Sequence, residues 1–187
     1  MKYVCLALLC LLCAACTRFE NPILGEKGPA FDEALVGHWS AEKDDSRFEV
    51  VITRNGDEGK VEYKSTEPGK EPETGATRLI TARIERHDFG SVVDADDKAK
   101  SWRFFRYELS APNKLTIYLP DEDFWTGAVK NKQVTGTIDG HQESVPAEGV
   151  KLLSTVVTAS SEELRTLVQG YGPVIFKDEP VVELTRQ

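Results

Sequence analysis

The sequence predicts a mainly β fold: an antiparallel sheet, closed into an up-and-down barrel or strongly bent, with one helix near the C-terminus. Three observations predict it. About eight runs alternate apolar and polar residues with a period of two, the signature of half-buried strands. Turn residues separate these runs at short intervals, which favours hairpins between sequential neighbours. One late stretch, residues 160–171, carries helical spacing instead. A closed barrel is the favoured form because closure leaves no exposed strand edge.

The chain opens MKYVCLALLCLLCAAC, and its four cysteines all lie here, at Cys5, Cys10, Cys13 and Cys16. Lys2 supplies a positive start, residues 4–12 are an unbroken apolar run, and Ala14 and Ala15 are small residues just before Cys16. This is the layout of a signal peptide spanning residues 1–15. The apolar run falls short of the roughly 20 residues that span a bilayer.

Residues 12–16, Leu-Cys-Ala-Ala-Cys, resemble a bacterial lipobox, with Cys13 where that family usually carries an aliphatic residue. The resemblance implies cleavage before Cys16, a diacylglyceryl group on its thiol and an acylated amino terminus. It implies a bacterial cell-envelope protein held on the membrane through Cys16. Thr17 stands where an Asp would signal inner-membrane retention, which points to the outer membrane, facing the periplasm. An ordinary secretory cut at the same bond is the alternative that the residues leave open. With Cys16 acylated, the mature domain has no thiol for a disulfide, a nucleophile or a metal.

The formal net charge is −8, and removing residues 1–15 takes away one base and no acid. Such a chain lacks the basic face that nucleic acid requires. It also lacks a broad electrostatic hold on anionic lipid heads, so acyl chains must do the anchoring, at about 0.8 kcal/mol per buried methylene. The remaining length suffices for one core without disulfides.

Residues 16–31 read as a lipidated tether, broken by Pro22, Gly25, Gly28 and Pro29, and residues 32–187 as a single β-rich domain. Asp32 is an N-cap ahead of a short turn that turns Leu35 and Val36 inward. RFEVVITR and KVEYKST flank Asn55-Gly56, a strong hairpin signal. Residues 65–75 form a polar loop. RLITARIERH places Ile80, Ala82 and Ile84 on one side. SWRFFRYEL puts Phe105, Tyr107 and Leu109 on one face and Trp102 and Phe104 on the other. SAPN joins it to KLTIYLP. Asp121-Glu122-Asp123 reads as a charged turn and Phe124-Trp125 as part of the loop after it. KQVTGTI and GVKLLSTVV are further strands around a polar loop at His141. Ser160 and Glu163 form a capping box ahead of Leu164, Leu167, Val168 and Tyr171, and Pro173 prevents continuation. VVELTR closes the chain.

LVGHWS, with its Gly37-x-Trp39 triplet after a short turn and at the first strand, resembles the opening signature of lipocalins and their calycin relatives. The resemblance implies a barrel in which Trp39 plugs one end and a late arginine lies across it. Arg186 is the late arginine in phase with Val182 and Leu184. The family's arginine precedes the helix, whereas Arg186 follows it.

No catalytic motif emerges. The three histidines, His38, His87 and His141, lack the close spacing of a metal-binding motif. The run 94–97 resembles the start of a calcium loop, but Ala99 and Phe105 stand where a glycine and a glutamate are needed. Serine-nucleophile motifs and phosphate-cradling glycine loops are missing, and nothing calls for a cofactor. The distinctive feature is the aromatic strand. Trp102, Phe104 and Trp125 are expected to meet the protein's own cover, a ligand or a partner surface, since ligand sites are mostly apolar and aromatic. The expected function is a binding or scaffolding domain for a small apolar ligand or an envelope protein. The alternative is an envelope hydrolase or wall-modifying enzyme using His87, Asp88 and nearby acids.

Overall fold

Asn55-Gly56 turns the chain between strands β3 (Ser46–Asn55) and β4 (Glu58–Thr66), with Asn55 opposite Glu58 and Val50 opposite Tyr63. Asp32 caps a 3-10 turn (Glu33–Leu35) by accepting the amide of Ala34, and Leu35 is buried beneath it. These local devices sit in a computed structural model that describes residues 17–25, 30–43, 45–95, 101–141 and 152–187.

The barrel is closed and antiparallel throughout. Seven strands follow one another around it: β2 (Gly37–Lys43), β3, β4, β5 (Glu73–Ile84), β6 (His87–Asp94), β7 (Arg103–Ala111) and β8 (Lys114–Tyr118). The eighth is the last strand of the chain. It is β11 (Val182–Arg186), which slots between β8 and β2. β1 (Thr17–Phe19), β10 (Leu152–Val157) and β9 (Gly136–His141) form a separate three-stranded sheet, with β1 parallel to β10. Two helices join that sheet, α1 (Glu122–Lys130) and α2 (Ser161–Tyr171).

Two cores result. The inner one fills the barrel with Leu35, Trp39, Val50, Ile52, Leu79, Val92, Phe105, Tyr107, Leu115 and Leu184. The outer one lies on the far face of β5, β6 and β7. There Ile80, Ala82, Ile84, Phe89, Val93 and Phe104 pack against Phe19, Ile23, Trp125, Val157, Leu164, Val168 and Phe176. Alternation along β7 splits Phe104 from Phe105, as the sequence pattern requires.

Three expectations are corrected. The segment taken for a charged turn and loop at 121–125 is helical: Asp121 caps α1 by accepting the amide of Phe124, and Trp125 is fully buried. The run expected as a strand from Lys132 pairs only from Gly136 onward. The stretch expected as a tether over residues 16–31 packs on the domain through its described residues 17–25. Thr17 pairs with Thr155, Phe19 and Trp102 exchange backbone hydrogen bonds, and Phe19 and Ile23 are 1% exposed. Further on, Ala30 bridges to Thr81 on β5. Phe19 stacks on Phe104 at 3.8 Å between ring centroids and meets Trp125 edge-on at 4.8 Å. An aromatic pair of this kind adds to the gain from burial itself. Phe19→Ala is therefore expected to cost about 3–5 kcal/mol, seen as a lower urea midpoint at unchanged slope. A midpoint equal to the parent's would restore the tether.

Candidate functional site

Inward-facing residues of the barrel do not fill it. A cavity of about 90 Å³ lies between Leu35, Leu79, Leu115 and Leu184 on one side and Phe48, Val61, Tyr63, Ile117 and Val182 on the other. The first group is buried and the second half-buried, so the space opens toward Phe48 and Tyr63. Among the described residues, Thr77 and Tyr63 bring its only hydroxyl groups and no charged side chain lines it.

Glycines on the neighbouring strands help to keep that space open. Tyr63 stands opposite Gly75, and Phe105 opposite Gly90. A Cβ at Gly75 would come within 2.2 Å of the Tyr63 hydroxyl oxygen, and one at Gly90 within 2.1 Å of the Phe105 ring. Each ring thus lies flat over a glycine, along the wall, instead of across the lumen. Side chains at either glycine would push a ring inward.

The opposite end is shut. The Trp39 indole N–H donates to the Leu35 carbonyl at 2.8 Å, and the ring is wholly buried. Arg186, paired with Trp39 across β11 and β2, lays its guanidinium 4.3 Å from the indole ring centre. Its Nη1 and Nη2 donate to the carbonyls of Val36 and Ala34. The 3-10 turn is thereby fastened to the barrel by the last strand of the chain. Tyr107 secures it from inside, donating its hydroxyl to Asp32 at 3.0 Å. Burial, then the charge of Asp32, raises the pKa of Tyr107 and keeps it a donor.

The aromatic cluster singled out from the sequence lies elsewhere. Trp102, Phe104 and Trp125 are 5%, 1% and 0% exposed in the outer core. They do not form an open ligand or partner surface, because β1, α1 and α2 cover them. No sequence signal marked the inner cavity. The alternation placed each residue on a face, but the space depends on rings folding over glycines one strand away.

Other expected positions separate. His38 faces outward and approaches Glu49 at 3.7 Å. Arg83 holds Asp88 through two hydrogen bonds of 2.7 Å. His87 packs near Phe89 and meets no carboxylate among the described residues. Asp94 pairs with Arg103. His141 ends β9. Among the described residues no three His, Cys, Asp or Glu side chains gather for a metal, and no helix is long and apolar enough to cross a membrane. Cys16 lies outside the described residues.

No protein-family model, curated protein or solved structure matches this chain.

The closed end yields a prediction. Arg186→Lys keeps the charge but loses the planar fork that stacks on Trp39 and reaches two carbonyls. It is expected to destabilise by about 1–3 kcal/mol in chemical denaturation. Stability equal to the parent's would show that charge alone suffices there.

Proposed function

We propose that this is a lipid-anchored envelope protein whose barrel takes a small apolar ligand. The observation that carries the reading is the cavity: apolar on every side, shut at the Trp39 end and open at the other. Ligand sites are concave and mostly apolar, with few polar groups. At about 90 Å³ the space suits a short alkyl chain or the end of a longer one. For comparison, an engineered apolar cavity of about 150 Å³ takes up benzene. The hydrolase alternative loses its footing, since Asp88 is held by Arg83 and His87 has no acidic partner among the described residues.

Anchoring rests on the lipobox-like residues 12–16. Thr17 is buried and paired with Thr155, so an acyl group on Cys16 would lie one residue along the chain from the packed domain. Such a protein sits on the membrane surface and presents its barrel to the adjoining space.

The ligand reading is tested with 1-hexanol and methyl-resolved NMR. Shifts are expected at Leu79, Val92, Leu115 and Leu184 and not at Leu164 or Ile175 of the outer core. Gly75→Val is expected to abolish them by driving Tyr63 into the lumen. Absence of shifts in the parent protein, or shifts confined to the outer core, would sink the reading.

The anchor has its own test. Cys16→Ala is expected to abolish labelling by a radioactive fatty acid and to release the protein from membranes. Labelling that persists would overturn the assignment of Cys16.

A further inference from the structure

The cavity mouth is ringed by the β2–β3 turn, the β4–β5 loop, the end of β6, the start of β7 and the segment entering β11. Its cations are largely spent. Arg47 pairs with Glu42 and Glu49, and Lys70 with Glu67. Arg103 shares the inward register of Phe105; Asp94 holds its Nη2, so that pair adds no net charge, while its Nη1 is buried without a hydrogen-bond partner among the described residues and lies outside the cavity lining. Asp45, Glu71, Glu73, Asp178 and Glu179 are exposed and make no ion pair among the described residues. Only Lys64 and Lys177 oppose them on the same terms. Among the described residues, an apolar shaft therefore opens through a rim of net negative charge.

We propose that the cavity selects amphiphiles by charge, favouring a short alkyl chain with a cationic head, such as an alkylammonium, over a carboxylate. The inference rests on the ligand reading above and adds the class of ligand. A chain seated in the shaft leaves its head at the rim. Low-dielectric walls focus the rim's field on that point. Among the described residues nothing cationic lines the cavity to receive a carboxylate. Arg186, the cation at the closed end, lies outside the lining and is engaged by Trp39 and two carbonyls.

Hexylammonium, 1-hexanol and hexanoate share one chain and differ in the head, so their affinities separate charge from burial. The titrations use the chain from residue 16 onward with Cys16→Ser, so that no acyl group competes, and calorimetry at neutral pH. Affinity is expected to fall in that order. The two charged ligands should differ by roughly tenfold at an ionic strength of about 20 mM, and the gap should nearly close at about 0.5 M salt. The triple variant Glu71→Lys, Glu73→Lys, Glu179→Lys lies on exposed rim positions and is expected to reverse the order while leaving hexanol unchanged. Hexanoate binding as tightly as hexylammonium, or an order that ignores salt and the triple variant, overturns the charge selection and leaves the ligand reading intact. Failure of all three ligands, hexanol included, overturns both.

Discussion

Strand β7 has to be covered twice. It carries Phe105 and Tyr107 on one face and Phe104 on the other, with Trp102 just ahead of it, and all four are buried. A barrel covers only its inner face. The outer face of β5 to β7 would otherwise present a contiguous apolar patch to water, which single domains rarely tolerate. Everything outside the barrel answers that requirement. The N-terminal segment brings Phe19 and Ile23, α1 brings Trp125 and Ala128, and α2 brings Leu164, Leu167 and Val168. Burying a large side chain is worth about 1.5–3 kcal/mol, so this second layer is a main source of stability.

The covering layer also governs how the barrel closes. Both helices and two strands of the small sheet, β9 and β10, intervene between β8 and β11, and β11 closes the gap between β8 and β2. Arg186 then reaches the carbonyl of Val36, 150 positions away in sequence. Entropy disfavours such a contact only weakly more than a shorter one, because closure cost grows with the logarithm of loop length. The outer layer packs on β5 to β7, and its end leads the chain into β11. Trp39 and Arg186 then fasten the 3-10 turn across the barrel's end.

How much of this the sequence disclosed follows from how local each feature is. Alternation marked the faces of β3, β5, β7 and β8, and Asn55-Gly56 marked a turn, because both depend on neighbouring residues. The capping box at Ser160 and Glu163 is equally local and forms as expected. α1 stayed hidden because Pro120 and three acids look like a turn, while its buried residues, Trp125 and Ala128, cover one short turn. The segment after Cys16 looked like a tether because its prolines and glycines suit an extended path. That extended path runs over the outer core, and only the three-dimensional arrangement shows Phe19 lying on Phe104. The cavity is the least local feature of all, since it needs Tyr63 over Gly75 and Phe105 over Gly90.

Those two pairs are better understood as a cost than as an accident of packing. An unfilled space of about 90 Å³, at about 24 cal/mol per Å³, forgoes about 2 kcal/mol. Stability alone would fill it. A larger aliphatic residue at Val61 or Val92 would do so, and side chains at Gly75 and Gly90 would turn the rings inward to the same end. The chain keeps glycines at both points and valines at the others, which holds the space open and its walls apolar. A hydrocarbon chain entering the barrel would recover the contacts the walls lack, and its burial would supply the driving force. On the proposed reading, the same space that costs the protein stability would be the source of affinity for a ligand, and the shut end at Trp39 would set how deep that ligand could reach.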